Sequence, residues 1–135
     1  MNRKLAMILI FTGVFAGIAH AALMEEHPCS STATEADMYE CLTHQLKEAD
    51  IALNKAYRVL TARYKENEPS PVQGKPQGSY LKKAQIAWIK FRDESCDFET
   101  YESITGSGFG TIYTACLLEK TQERVNYLQW YIEHP

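Results

Sequence analysis

The most informative absence in this sequence is that of a C-x-x-C pair. The chain nevertheless has four cysteines: Cys29, Cys41, Cys96 and Cys116. Without that pair, the usual zinc-site and thiol-oxidoreductase patterns are excluded. Histidine is also scarce, and His27, His44 and His134 lie far apart in sequence. No metal or other cofactor is therefore expected.

An apolar run long enough to cross a bilayer is also missing. The longest run, residues 5–18, has about 14 residues, whereas a spanning helix needs roughly 20. It follows Arg3 and Lys4 and precedes Ala19-His20-Ala21, which is the arrangement of a secretory signal peptide with its cleavage site. We therefore expect a signal peptide over residues 1–21, export to the periplasm, and a single mature domain over residues 22–135 with no membrane insertion.

Basic charge is not in excess. The chain has 14 Lys and Arg against 17 Asp and Glu, a net charge of −3. The signal peptide would take away two basic residues and no acidic one, which leaves the mature domain at −5. This balance argues against nucleic acid or anionic lipid as a partner and is compatible with a cationic protein.

No alternating apolar–polar run typical of a β-strand is present, and apolar residues instead recur at helical spacing. The clearest stripe predicts a long helix over residues 34–67, with no glycine or proline inside it. At its start, Thr32 and Glu35 have the spacing of a capping box. The stripe comprises Met38, Leu42, Leu46, Ala49, Leu53, Ala56, Leu60 and Tyr64.

Two further helices are predicted over residues 80–95 and 111–132, because proline and glycine interrupt the chain before the first of them and glycine interrupts it before the second. Ser79 is the expected N-cap of the second helix, and residues 97–110 are expected to be irregular. The expected inward-facing residues are Leu81, Ala84, Trp88 and Phe91 on the second helix, Ile112, Cys116, Val125, Leu128 and Ile132 on the third, and Tyr57 and Tyr64 as further core fillers. The expected fold is all-α: a small three-helix antiparallel bundle after a flexible arm at residues 22–31.

An even number of cysteines in an exported chain predicts two disulfides. Four cysteines permit three pairings, and the local pairing demands the least rearrangement of the chain. We therefore expect Cys29 to pair with Cys41 and Cys96 with Cys116, closing loops of 13 and 21 residues. Each bridge would stabilise the fold by about 3 kcal/mol through the entropy of the unfolded chain.

Three blocks of residues have spacings that are similar to those of a known family. The first is Met38-x-x-Cys41 with Ala49-Asp50-x-x-Leu53-Asn54-x-x-Tyr57. The second is Leu81-x-x-Ala84-Gln85-x-x-Trp88-Ile89-x-Phe91-Arg92-Asp93-x-x-Cys96 with Gly106-x-Gly108. The third is Cys116-Leu117-x-x-x-Thr121-x-x-Arg124-x-x-x-Leu128. Residues 29–128 thus resemble the LprI-type lysozyme inhibitor N-terminal domain family, formerly a family of unknown function.

The resemblance implies a small, exported, helical bacterial domain, in a family of which one type of member inhibits lysozyme. It assigns no inhibitory residue to a position of this chain. The function expected is a periplasmic, non-enzymatic binding protein that inhibits a lysozyme-type muramidase by blockade. The alternative is an envelope protein that binds another protein, such as a secreted effector or an envelope component, without any effect on lysozyme.

Two groups of polar residues were candidates for chemistry. The first group is expected to form a polar network that fixes the register of the helices, and not a catalytic site, because a buried charge needs a partner. It consists of Asp50, Asn54, Arg92, Asp93, Thr121 and Arg124. Glu40 and His44 are one helical turn apart, but a third metal ligand is missing. A surface ion pair is therefore expected of them.

The segment after the second helix is acidic and aromatic, and a glycine-rich run follows it. The residues expected to contact a protein partner are Asp97, Glu99, Tyr101, Glu102, Ser103 and Ser107. Such a segment could press carboxylates against the rim of a basic lysozyme or insert a hydroxyl towards its catalytic carboxylates. Closure by a disulfide would reduce the entropy lost on binding. The alternative is an ordinary solvated loop.

Overall fold

The computed structural model describes residues 29–65, 69 and 74–135. Three α-helices follow one another in this part of the chain: α1, Glu35–Arg63; α2, Gln77–Glu99; and α3, Phe109–Glu133. A short 3-10 helix, Tyr101–Ser103, lies between α2 and α3, and no strand occurs among the described residues. The all-α prediction is confirmed. The predicted signal peptide and residues 22–28 of the predicted arm lie outside the described residues.

Contacts at both ends of the bundle fix the direction of α1 and α3. At the start of the two helices, the hydroxyl of Thr111 donates to Glu35 Oε1 at 3.3 Å. At their ends, Arg63 donates from Nη1 to the carbonyl of Tyr131 at 2.7 Å and from Nη2 to the carbonyl of Ile132 at 3.0 Å. These carbonyls belong to the last turn of a helix, which otherwise lacks donors. The two helices therefore run parallel, with α2 antiparallel to both.

The core consists of two apolar clusters along α1, which packs mainly against α3. The first contains Cys29, Leu42, Ala49 and Leu118, with Met38, Cys41, Leu46 and Ala115 packed against it. The second contains Leu53, Ala56, Leu60 and Leu128, with Tyr57, Tyr64, Leu81, Trp88, Val125, Tyr131 and Ile132 packed against it. All eight residues of the predicted α1 stripe belong to one of these clusters, so that prediction is confirmed. None of the described helices has the length and apolar character that a membrane span requires.

The N-cap of α1 lies two residues after the predicted one. Thr34, not Thr32, is the N-cap: its hydroxyl accepts from the backbone N–H of Asp37 at 3.1 Å and donates to Asp37 Oδ2 at 2.7 Å. Thr32 instead donates to the carbonyl of Cys29 at 2.9 Å, within a turn that starts at the buried Cys29. The Glu35 carboxylate does not accept a hydrogen bond from the cap residue, as a capping box would require, and instead accepts one from Thr111. The helix ends at Arg63 rather than near residue 67.

The second helix is longer than predicted at both ends. It begins at Gln77, directly after Pro76, and the N–H of Ser79 bonds to the carbonyl of Pro76 at 2.9 Å, so the predicted Ser79 cap is wrong. A proline before the first turn has its φ fixed in a range that suits helix entry. The helix continues to Glu99, and the 3-10 helix follows it, so much of the segment predicted to be irregular is helical.

Three of the predicted inward-facing residues are exposed. Phe91 is 63% exposed, Ile112 is 47% exposed, and Ala84 is also exposed. The face of α2 that meets the bundle contains the buried Gln85 and Cys96, and Phe91 is rotated away from it. Apolar periodicity could not find this face because a glutamine lies at its centre.

The disulfides have the predicted local pairing. Cys29 is bonded to Cys41 and Cys96 to Cys116, with Cα atoms 5.8 Å apart in both bridges. Cys29 and Cys96 are fully buried. The first bridge ties the start of the described chain to α1, and the second ties the end of α2 to α3.

The difference in burial between Leu118 and Ile112 predicts a difference in stability between variants at the two positions. Leu118 is fully buried, so Leu118→Ala should lower the free energy of unfolding by about 2–5 kcal/mol. Ile112 was expected in the core but is exposed, so Ile112→Ala should lower the free energy of unfolding by less than about 1 kcal/mol. Denaturant unfolding followed by circular dichroism measures both. Equal losses for the two variants would contradict the placement of the core.

Candidate functional site

The residues predicted to form a polar network do meet between the helices. Arg92 of α2 donates from Nε to Asp93 Oδ1 at 2.9 Å. Its Nη1 lies 3.5 Å from Asp50 Oδ1 of α1 and 3.3 Å from Thr121 Oγ1 of α3. The Arg92 side chain is 17% exposed, and two carboxylates balance its charge. One guanidinium therefore connects all three helices.

Trp88 lies between two guanidinium groups. Its ring centroid is 5.3 Å from Cζ of Arg92 and 5.7 Å from Cζ of Arg124. Arg124 is also 4.8 Å from the ring of Tyr127, and its Nε donates to Gln85 Oε1 at 3.1 Å. Cation–π attraction is stronger where the cation is removed from water. Trp88 therefore contributes to the packing of α2 against α3.

Arg124 is incompletely paired in this network. Burial lowers its pKa, and Nη2 is buried without a hydrogen-bond partner among the described residues. The adjacent rings of Trp88 and Tyr127 supply electrostatic attraction in place of a carboxylate. Apart from Arg124 Nη2, the donors and acceptors of the network are directed at one another, which agrees with a structural role in holding helix register.

Two members of the network differ from the sequence expectation. Asn54 is exposed, and it is its backbone carbonyl that accepts from Arg58 Nε, at 3.2 Å, so the Asn54 side chain is not part of the network. Gln85 was not expected in the network but is buried in it. Its position could have been found from the spacing of Gln85, Trp88 and Arg92, which places all three on one face of α2.

The second candidate site is residues 97–107, which we call the acidic corner. It begins in the last turn of α2, directly after Cys96, and ends before α3. Thr100 anchors it: this residue is 3% exposed, and its hydroxyl and N–H both donate to the carbonyl of Cys96, at 2.7 and 3.0 Å. The N–H of Ser103 then donates to the carbonyl of Thr100 at 2.9 Å. The corner is thus a compact turn attached to a disulfide.

Two of its carboxylates are engaged by α3. Glu99 Oε1 is 2.8 Å from Lys120 Nζ, and the hydrogen bond to this carboxylate raises the pKa of Lys120. Burial, and secondly the nearby carboxylate of Asp97, raises the pKa of Tyr113 on α3. Glu99 therefore helps to hold the corner against α3, and Asp97 lies towards the same helix.

Other residues of the corner are directed to solvent. Phe98 is 82% exposed, Tyr101 is 72% exposed, and Ile104 is 52% exposed. Glu102 is exposed beside Tyr101 and forms no ion pair with another described residue. Phe98 and Ile104 were not among the predicted contact residues. In the sequence, the position of Phe98 between Asp97 and Glu99 is the signal that could have identified it, and Ile104 has no such signal.

The two predicted serines lie on different sides. Ser103 is half-buried within the turn. Ser107 is exposed and lines a groove of about 350 Å³ between the first turns of α1 and α3, together with Glu35, Tyr39 and Thr111. Ser103 therefore lies in the same turn as Tyr101 and Glu102, whereas Ser107 borders a separate groove.

The predicted ion pair between Glu40 and His44 is not formed. Both side chains are exposed on α1, and the structure shows no ion pair between them. An exposed pair gains little over hydration by water, which accounts for the error. In the described ranges, no group of three His, Cys, Asp or Glu side chains could hold a metal ion.

The role of Gln85 in the network gives a prediction. Gln85→Leu removes the acceptor of Arg124 Nε and should lower the free energy of unfolding by about 1–3 kcal/mol. Gln122→Leu makes the same change at an exposed position of α3 and should alter it by no more than about 0.5 kcal/mol. Denaturant titration of both variants is the measurement. A Gln85 variant as stable as the parent would show that the hydrogen bond contributes nothing.

Comparisons with known proteins agree with the motifs. The family model of the lysozyme inhibitor LprI matches residues 28–128. An uncharacterised protein of Rhizobium meliloti (strain 1021) is 31% identical over 116 residues, which are 83% of this chain and 84% of the relative. The uncharacterised protein YecT of Escherichia coli (strain K12) is 33% identical over 98 residues, 67% of this chain and 60% of the relative. No solved structure matches.

The family match covers α1, α2, the acidic corner, both disulfides and most of α3. It therefore includes the Trp88 network as well as the exposed residues of the corner. The chain belongs to the lysozyme inhibitor LprI family.

Proposed function

We propose that this protein is an exported, non-enzymatic binding protein that inhibits a lysozyme-type muramidase by covering its active-site cleft with the acidic corner. Membership of the lysozyme inhibitor family supports the class of partner. The observation that carries the choice of surface is the exposure of Phe98 and Tyr101, at 82% and 72%, on a segment attached to a disulfide. The proposal includes cleavage of residues 1–21 and function in the periplasm.

The shape of the corner suits it to binding. Exposed aromatic side chains are the residues that most often dominate protein–protein affinity, provided that they are held in place. The disulfide between Cys96 and Cys116 and the buried Thr100 restrict the backbone on which they lie. Less conformational entropy is therefore lost on association than for a free loop.

Charge provides the second part of the argument. Lysozymes are basic. The mature domain is expected to be acidic, with a net charge of −5, because the signal peptide takes two basic residues of the chain with it. Within the corner, Glu102 is available for a cationic rim, whereas Glu99 is already paired with Lys120 of α3. Complementary charge raises the association rate and gives it a dependence on salt. Tyr101 and Ser103 supply hydroxyls that would face the catalytic carboxylates of the cleft.

A cell-wall lysis assay tests the function. The oxidised protein is mixed with lysozymes of several structural classes, and the expected result is inhibition of at least one class at roughly equimolar ratio. Inhibition that requires a large excess, or none with any class, would refute it. The protein would then be assigned to the alternative class of envelope proteins that bind another partner.

Variants of the corner test the surface separately from the function. Tyr101→Ala should weaken inhibition by at least about tenfold, because truncation of a tyrosine that acts as a hot spot costs about 2 kcal/mol or more. Glu102→Lys should slow association, and the effect should shrink as salt is added. Surface plasmon resonance at several salt concentrations measures both. The matched control is Glu133→Lys, the same charge change at the far end of α3.

The control separates two explanations. If Glu133→Lys slowed association as much as Glu102→Lys, net charge rather than the corner would be responsible. If the parent protein inhibits a lysozyme and both corner variants bind it unchanged, inhibition stands and the contact surface lies elsewhere.

A further inference from the structure

A groove lies where the end of α1, the start of α2 and the end of α3 meet, and we call it the tyrosine groove. Its volume is about 220 Å³. Its walls contain three leucines, an alanine and four tyrosines: Tyr64, Tyr80, Tyr127 and Tyr131. Ligand sites in proteins have mostly apolar and aromatic walls with a few polar groups among them. The tyrosine groove has that composition, and its volume suits a small ligand.

Arg124 supplies the only formal charge among the described residues that line this groove, and none of them is acidic. Its Nε donates to Gln85 Oε1, whereas Nη2 is buried without a hydrogen-bond partner in the described part of the chain. Burial lowers the pKa of Arg124, because its charge is poorly hydrated there. An anion in the groove would therefore gain a charge-assisted hydrogen bond from a donor that lacks one.

We propose that the tyrosine groove binds a small monocarboxylate that carries an aromatic ring. Its carboxylate accepts from the guanidinium of Arg124, and its ring lies among the tyrosine side chains. A planar guanidinium presents its donors in a geometry that matches the two oxygens of a carboxylate. Aromatic rings attract one another in offset or edge-to-face arrangements.

Other classes of ligand satisfy fewer of these groups. A cation would be repelled by Arg124, and a neutral apolar molecule would leave Nη2 unpaired. A doubly charged phosphate would bring one negative charge that no described lining residue balances. A monocarboxylate matches the single positive charge of the groove.

Tyr127 controls access to the guanidinium. Its ring centroid is 4.8 Å from Cζ of Arg124, and the residue is 51% exposed. Exposed side chains change rotamer within picoseconds to nanoseconds. A rotation of this ring towards solvent admits a carboxylate oxygen to Nη2 while the helices stay in place.

The tyrosine groove is separate from the acidic corner. Tyr80 of the groove and Phe98 of the corner are 18 positions apart on α2, which is about 27 Å along the helix. The inference therefore does not depend on the proposed function.

Titration of the oxidised protein with phenylacetate tests the proposal, with phenylacetamide as the matched neutral ligand. Proton–nitrogen correlation NMR spectra follow the side-chain Nε–H of Arg124 and the backbone amides of the groove. Phenylacetate should shift these signals saturably, with a Kd of about 1–10 mM for so small a ligand. Phenylacetamide should bind at least about tenfold more weakly, because it lacks the charge.

Variants test the residues of the site. Gln77→Glu places a negative charge in the lining and should weaken phenylacetate binding about two- to fivefold. Gln122→Glu makes the same change at an exposed position about 200° around α3 from Arg124, and it should bind like the parent. Arg124→Gln should abolish the preference for phenylacetate over phenylacetamide, with circular dichroism to show that the variant is folded.

Three results would each overturn the site. They are equal affinity for the two ligands, an Arg124 signal that does not move by about 20 mM phenylacetate, and equal weakening by Gln77→Glu and Gln122→Glu. The two glutamine positions are exposed, so the test stands even if Arg124→Gln fails to fold.

Discussion

A thin apolar core is the constraint on which the rest of this structure depends. Among the described residues, the buried apolar positions number ten, and three of them are cysteines. Small domains bury a smaller share of their surface than large ones, so that covalent and polar links add appreciably to their stability. Here two disulfides and the contact of the Arg92 guanidinium with the Trp88 ring supply those links.

The polar network has a position that explains its composition. Asp50 lies between Ala49 and Leu53 in sequence, and these belong to different apolar clusters. The Asp50–Arg92–Thr121 contacts therefore form a polar layer between two apolar ones. A helix shifted along its axis would leave Arg92 unpaired inside the bundle, which is costly. The network thus specifies one alignment of the three helices where leucine packing alone would allow several.

The sequence allowed the prediction of the fold class, the stripe of α1 and the pairing of the cysteines, because each follows from a simple spacing. It also carried the motifs of the family that the comparison then matched. It was misleading for α2, where the inward face is centred on Gln85 and the apolar Phe91 is outside. Periodicity detects apolar residues, and it cannot tell a buried polar face from an exposed one. The capping error has a similar cause, since Thr32 and Thr34 both have an acidic residue three positions further on.

The bridge between Cys96 and Cys116 has a consequence for when the protein becomes competent. The acidic corner lies inside the loop that this bond closes, and its anchor Thr100 bonds to the carbonyl of one of the two cysteines. In a reducing compartment the thiols would be separate, and the corner would lose its covalent tie to α3. The proposed binding surface would thus form only after the chain meets an oxidant. With the proposed export, the surface would form in a different compartment from the one in which the chain is made, and a copy retained in the cytosol would lack it.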